Sequence, residues 1–420
     1  MPISRYMTHI VRAFAPSFVS AILALAGCAE LPPSQQTPQQ TPQSADARVC
    51  PACPVCAACP APARPAAANY LPAPFAAIPG WASAPVAPGL RAFAASCERI
   101  SGGPLRRACD AASTQPLEDE AAARRFVEST FEAWAIVSAD GASEGLVTGY
   151  YEPVLAGSRT RSERFRIPVY GVPADLVAVH LESVNPELKG LRLRGRIQGN
   201  RLVPYLTRAE LEARNGNGAP VVAWVEDPVE LFFLQIQGSG QIELASGERL
   251  RLGYGDQNGH PYRSMGQYLA QRGELVLEQA SMQNIKAWAA ANPRKLREAL
   301  DANPSYVFFR ELPATEARPG IASGPLGTLG APLTAGFSVA VDQRYVPLGA
   351  PVFLATTWPL SAQPLERLMA AQDTGGAIRG AVRADFYWGT GSEAGALAGR
   401  MRQRGRMWIL WPRGETLPAF

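Results

Sequence analysis

Histidine is scarce in this chain of 420 residues: there are three, His9, His180 and His260. His9 sits in the extreme N-terminal segment, so a Ser-His-Asp or Cys-His site would have to use one of the other two. No G-x-S-x-G elbow accompanies either. H-x-x-x-H and H-E-x-x-H are missing, and with them the simplest zinc patterns, so no metal site is expected. G-x-x-x-x-G-K-[ST] is missing as well, which removes the usual grip on nucleotide phosphates. Charge is thin, at 18% of residues with a formal net charge of +4. That mild excess suits an acidic polymer without calling for nucleic acid. No internal repeat is present. With no cofactor fingerprint, the chemistry falls to carboxylates.

What is present begins with a leader. Arg5 and Arg12 precede the apolar run FVSAILALAG, which ends at Cys28. A basic start, a short apolar stretch and small residues predict a secretory signal over residues 1–27, too short to be a spanning helix. Leu25-Ala26-Gly27-Cys28 has the form of a bacterial lipobox, which predicts lipidation of Cys28. Ala29, rather than aspartate, follows it and predicts sorting to the Gram-negative outer membrane, with the protein facing the periplasm. Residues 28–95 are rich in Ala, Pro, Gln and Ser and read as a disordered tether. Within it, Cys50, Cys53, Cys56 and Cys59 are spaced C-x2-C-x2-C-x2-C. An iron–sulfur run has a longer last gap and a reducing compartment, so disulfides are the simpler reading and a metal site the alternative. Cys97 and Cys109 are spaced for a local disulfide at the start of the folded region.

From about Ser96 the pattern becomes regular. LEDEAAARRFVESTFEAWAIV predicts a helix from about 117 to 134. GLVTGYYEPVL, RIPVYGVP, RLVPYLT, PVVAWVEDPVELFFLQIQGSG and QIELASGERLRLGYG read as short strands separated by turns. A helical turn is expected over Glu210 to Arg214, and helices in YRSMGQYLAQRGELV and SMQNIKAWAAANPRKLREALDANPSYVFF. PLTAGFSVAVD, APVFLATTW, LMAAQDTGG and RMWILWP return to strands, with a helix in SEAGALAGRMRQRG. Many short strands with few helices predict a mainly β protein built from barrels.

Three aspartates lie in the last strand-rich region: Asp342, Asp373 and Asp385. Asp342 precedes a turn and reads as structural. Asp373 follows LMAA and opens the Gly375-Gly376 turn in AQDTGGAIRG. Asp385 is followed by Phe386-Tyr387-Trp388, suited either to stacking on a sugar ring or to a core. D-T-G also marks aspartic proteases, but Gln372 and Gly376 flank it unsuitably and no second copy exists.

GLVTGYYEPVL, FFLQIQGSGQIEL, GYGDQNGHPYRSMG, NPSYVFF, PLTAGFSVAVDQRYVPLGAPVFL and AQDTGGAIRGAVRADFYWGTGSEAG, taken in order, resemble the membrane-bound lytic murein transglycosylase A family. The resemblance runs from about Arg99 to the C-terminus, and its last part is similar to the 3D domain named for three aspartates. It implies a double-psi β-barrel domain, residues 96–153 plus 303–420, interrupted by a second β-barrel domain, residues 154–302. The implied activity is that of a peptidoglycan lytic transglycosylase that makes a 1,6-anhydro end with a single acid, here Asp373, and no cofactor. Asp385 would orient substrate or acid, and Thr148, Tyr151, Gln235, Gln237, Gly238, Ser239 and Gly240 would line a glycan groove. QGSG alone is equally a plain turn. His260, Tyr262 and Arg263 would meet acidic stem peptides. The implied partners are glycan strands, the outer-membrane inner leaflet and the cell-wall machinery, not nucleic acid. The rival reading is a non-catalytic peptidoglycan-binding lipoprotein.

Overall fold

The computed structural model describes residues 69–181, 183–184, 193–313 and 324–417. The signal segment, Cys28 and the four tether cysteines lie outside the described residues. One sheet holds eight strands in the order Asn69–Ala73, Phe131–Val137, Arg402–Pro412, Pro351–Thr357, Pro364–Asp373, Ser338–Val341, Arg383–Thr390, Gly145–Glu152. Arg402–Pro412 also pairs with Gly145–Glu152, so the last six strands close into a ring. Two pairings in the ring are parallel, Ser338–Val341 with Pro364–Asp373 and Arg383–Thr390 with Gly145–Glu152. This is the double-psi β-barrel that the resemblance implied. Val339, Val352, Phe353, Met369, Phe386 and Ile409 belong to its core. All four residues of Ser338–Val341 are buried, as a strand covered on both faces requires.

The folded region starts earlier than composition suggested. Asn69–Ala73 pairs antiparallel with Phe131–Val137, and Ala87–Ser96 is a helix with Leu90, Ala92 and Phe93 buried. The Glu120 carboxylate accepts hydrogen bonds from the Val86 and Ala87 amides at 2.8–3.0 Å and so caps that helix. The helix lies so near the strand Pro364–Asp373 that a Cβ on Gly89 would sit 2.3 Å from the Leu368 carbonyl oxygen. Alanine and proline here serve close packing rather than disorder. Cys97 and Cys109 are joined by a disulfide, which ties this helix to the next, Gly103–Ala112.

A second sheet runs Val307–Leu312, Arg249–Gln257, Gly240–Leu244, Val154–Ser158, Val221–Val225, Ile167–Tyr170. A bridge between Gly171 and Phe309 brings its two ends together, giving a second, smaller barrel. Val307–Leu312, which the sequence division gave to the first barrel, pairs here with Arg249–Gln257. Two expectations fail locally. The helix expected over 117–134 ends at Thr130, and Phe131–Val137 is a strand. The apolar run after Asp227 is a helix, Pro228–Gln237, not a strand. The Asp227 side chain accepts from the Val229 and Glu230 amides, Pro228 opens the first turn, and Gly238 at φ 77° ends it. Among the described residues, no helix is long and apolar enough to cross a membrane.

Candidate active site

Asp373 ends the strand Pro364–Asp373, and a bulge aims it. Val339 pairs with Ala371, but the next residue, Ala340, pairs with Asp373, so Gln372 is the extra residue. Gln372 is fully buried. Its Nε2 donates to the Ala92 carbonyl at 3.1 Å and to Ser96 Oγ at 3.0 Å, and its Oε1 accepts from Ser338 Oγ. The Leu329 amide donates to the Gln372 carbonyl at 3.0 Å, which docks the loop after Gly324 against the strand. That loop delivers Thr328. Asp373 Oδ1 accepts from the Thr328 amide at 2.9 Å, the Thr328 hydroxyl at 2.7 Å and the Thr374 amide at 2.9 Å. None of these bonds goes to Oδ2.

Burial pushes the Asp373 carboxyl above the ordinary carboxylate range, although Thr328, Thr374 and Tyr150 pull the other way. Asp385 stands on Arg383–Thr390, in register with Thr148. Its Oδ1 accepts from Thr148 Oγ1 at 2.5 Å, and Arg383 Nη2 donates to the same hydroxyl at 2.9 Å. Burial pushes Asp385 up to about 6, with the charge of Asp373 adding to it and Thr148 and Arg383 opposing it. Tyr150 faces both carboxyls. The site thus holds one hydrogen-bonded acid that resists ionisation and a second carboxyl beside it.

Asp342 is not part of this pair. It is buried and accepts from Arg344 Nη2 at 2.6 Å and from the Gly380 amide at 2.8 Å. Burial alone would raise it, but these bonds hold it below the usual range. It therefore pins the loop that follows Asp373. Phe386 and Tyr387 are fully buried, and Trp388 packs on Phe386 and Trp358, so the aromatic cluster is core rather than a sugar platform.

The remaining expected residues divide. Tyr151, Gln237 and Tyr262 line a cavity of about 400 Å³ with Met282, Gly395 and Arg402. Tyr151 alternates with Thr148 and Tyr150, so this cavity opens on the other face of the strand from the carboxyls. Gln237 Oε1 accepts from the Tyr151 amide at 3.1 Å. Gln235 is buried and accepts from Arg208 at 2.5 Å, so it is a packing residue and not a groove residue. Gly238 is the helix stop, Ser239 is half-buried, and Gly240 is buried against Leu234 and Pro153. His260 Nε2 lies 2.7 Å from the Tyr205 carbonyl oxygen, which occupies its ring. Arg263 is exposed, and its amide donates to Asn303 Oδ1 at 3.0 Å. Sequence reading missed Thr328, Tyr150 and Arg383. Thr328 carried no local signal, since it reaches Asp373 only through the fold. Tyr150 did carry one, because a strand that turns Thr148 towards Asp385 turns Tyr150 the same way.

Among the described residues, no three His, Cys, Asp or Glu side chains gather as a metal centre would need. Residues 146–310 match the family model described as the MltA specific insert domain, and residues 337–411 match that of the 3D domain. The membrane-bound lytic murein transglycosylase A of Escherichia coli K12 is 33% identical over 294 residues, covering 68% of this chain and 71% of that protein. A crystal structure of MltA from Neisseria gonorrhoeae, at 40% identity, covers 84% of this chain and 99% of its own with a TM-score of 0.73. Escherichia coli MltA with bound chitohexaose, at 30% identity, covers 80% and 91% with a TM-score of 0.60. With both domains matched in order and the two-barrel architecture shared, the chain belongs to the membrane-bound lytic murein transglycosylase A family.

Proposed function

We propose that this protein is a peptidoglycan lytic transglycosylase in which Asp373 acts first as acid and then as base. The observation that carries this reading is the asymmetry of Asp373: three donors converge on Oδ1 and none of them reaches Oδ2. Donors favour a charged oxygen, so the proton of the neutral acid belongs on Oδ2. That proton passes to the glycosidic oxygen as the bond from C1 of N-acetylmuramic acid breaks. The resulting carboxylate then takes the proton of the same sugar's 6-hydroxyl, whose oxygen bonds to C1 and closes a 1,6-anhydro ring. No water is consumed and Asp373 ends protonated, ready to repeat. An ordinary glycosidase needs a second carboxyl as nucleophile or base, a demand that an internal hydroxyl removes.

Asp385, held by Thr148, orients the acid and repels the charge it would acquire, which favours the protonated starting state. The glycan runs between the two barrels, the first built from residues 69–153 and 324–417 and the second from 154–312, with its scissile bond beside the open Oδ2 of Asp373. Chitohexaose bound to the Escherichia coli relative supports a glycan strand as ligand. Membrane attachment agrees with the relatives' names, and lipidation of Cys28 with outer-membrane sorting would supply it.

Digestion of purified peptidoglycan with the protein and with Asp373→Asn, followed by mass spectrometry of the products, tests the reading. Anhydromuropeptides should appear with the native acid and fall by at least about 10³-fold with the amide. Reducing-end products would indicate hydrolysis, and binding without turnover by the native protein would leave a wall-binding module.

A further inference from the structure

Tyr150 carries a hydroxyl that the fold leaves incompletely bonded beside Asp373. Its oxygen is buried and makes no hydrogen bond of full length and angle among the described residues, yet it stands close enough to Asp373 to draw that carboxyl's pKa down. Such a group costs about 1–3 kcal/mol and calls for a reason. Its setting is well defined. Tyr150 pairs with Tyr387 across the parallel strands, their rings 5.2 Å apart. It lies two residues beyond Thr148, the donor to Asp385, and so on the same side of the strand. Its electrostatic neighbours are Asp373, Asp385 and Tyr387.

We propose that Tyr150 is a positioning residue whose hydroxyl keeps only an incomplete contact with Asp373 while Asp373 is a neutral acid, and closes to a full hydrogen bond with the Asp373 carboxylate as the proton leaves. This rests on Asp373 as the acid. A neutral carboxylic acid whose Oδ1 is already filled by Thr328 and Thr374 is a poor acceptor. Once the proton moves to the glycosidic oxygen, the same group is a charged acceptor and the bond to Tyr150 becomes strong. An interaction made in the transition state and withheld in the ground state lowers the barrier instead of tightening binding. The incomplete contact is then the ground-state half of that difference. The other groups facing the site come from several elements. Asp385 opposes the new charge on Asp373, Arg383 stands behind Asp385, and Tyr387 in turn faces Glu152 and Arg251.

The test compares the native protein, Tyr150→Phe and Asp373→Asn on intact peptidoglycan, reading anhydromuropeptide release against pH and the thermal midpoint of each. Tyr150→Phe should lower kcat about 10- to 100-fold, with KM changed less than about threefold. Loss of a donor to the carboxylate raises the acid's pKa, so the alkaline limb should move up by about one pH unit. The thermal midpoint should stay or rise, since the ring remains and a poorly paired buried hydroxyl is gone. Native kcat and an unmoved alkaline limb in Tyr150→Phe would overturn the proposal, as would a fall in thermal midpoint that matches the activity loss. If Asp373→Asn keeps native turnover, Asp373 is not the acid and the proposal falls with it. An inactive Asp373→Asn beside a native-like Tyr150→Phe overturns the role of Tyr150 alone.

Discussion

Asp385 shows how the fold holds a carboxyl against its preference for water. Burial raises its pKa to about 6 from an ordinary 3.8, so the folded protein binds this proton more tightly than the unfolded chain does. Stability from this group is therefore greatest below pH ~4 and declines as pH rises through about 6. Asp385→Asn removes that cost while keeping an oxygen for Thr148 to bond. It should stabilise the protein by up to about 3 kcal/mol at pH 8 but by only about 0.5 kcal/mol at pH 4. Thermal denaturation at the two pH values checks this, and equal midpoints for variant and native protein at pH 8 would remove burial as the source of the shift. Activity should fall where stability rises. Gly376 offers a different separation. It is exposed and has open space around its missing side chain. Gly376→Ala should leave the thermal midpoint unchanged yet raise KM severalfold if glycan passes over this turn, and an unchanged KM would place the strand elsewhere. At this scale the acid and its partner were legible, since each opens or follows an apolar strand. Thr328 was not, because 45 residues separate it from Asp373 and only the folded loop joins them.

Among the elements, the helix Ala87–Ser96 determines where the acid points. It receives the Gln372 side chain at the bulge, so the residue before Asp373 is anchored from outside the ring of six strands. A chain truncated to begin at Cys97 loses this helix, its Glu120 cap contact and the edge strand Asn69–Ala73. It should be poorly soluble or, where soluble, inactive against peptidoglycan, whereas a chain beginning at Ala63 should match the full-length protein per molecule. Equal activity of the two truncations would show that the bulge holds Asp373 unaided. Gln372→Ala is the local version. It removes three buried bonds and leaves the Ser338 hydroxyl without its acceptor, and should cost about 2–4 kcal/mol in denaturant unfolding. Composition hid this helix because Ala and Pro dominate both tethers and tightly packed first turns. Its core residues, Leu90 and Phe93, are too few to stand out against that background. The barrel strands were easier to read, since runs such as Val339–Val341 and VFLA are apolar at every position and bounded by turns. The helix Pro228–Gln237 was misread for the same reason: it is apolar on most sides, and its signal lay in the Asp227-Pro228 cap rather than in its period.

The whole molecule depends on a short crossing, Tyr151 to Pro153, where the chain leaves one barrel and enters the other. Glu152 is 1% exposed there. Its Oε2 accepts from Thr390 Oγ1 at 2.8 Å on the first barrel and from Gln241 Nε2 at 2.9 Å on the second. The Gln241 amide also donates to the Pro153 carbonyl at 2.8 Å, and Gln237 holds the Tyr151 amide. Burial raises the Glu152 pKa, although Thr390, Gln241 and the charges of Arg251 and Arg249 draw it back. Both side-chain bonds end on one oxygen, so an amide oxygen can replace it. Glu152→Gln should therefore keep the junction, with a thermal midpoint equal to or above the native one at pH 7. Glu152→Ala takes the shared acceptor from the half-buried Gln241 amide and the exposed Thr390 hydroxyl and should cost about 1–2 kcal/mol. It should also let the barrels move apart, raising KM for peptidoglycan more than it lowers kcat and exposing the crossing to limited proteolysis. If both variants behave alike, the packing of the two barrels, and not the shared carboxylate, holds them together.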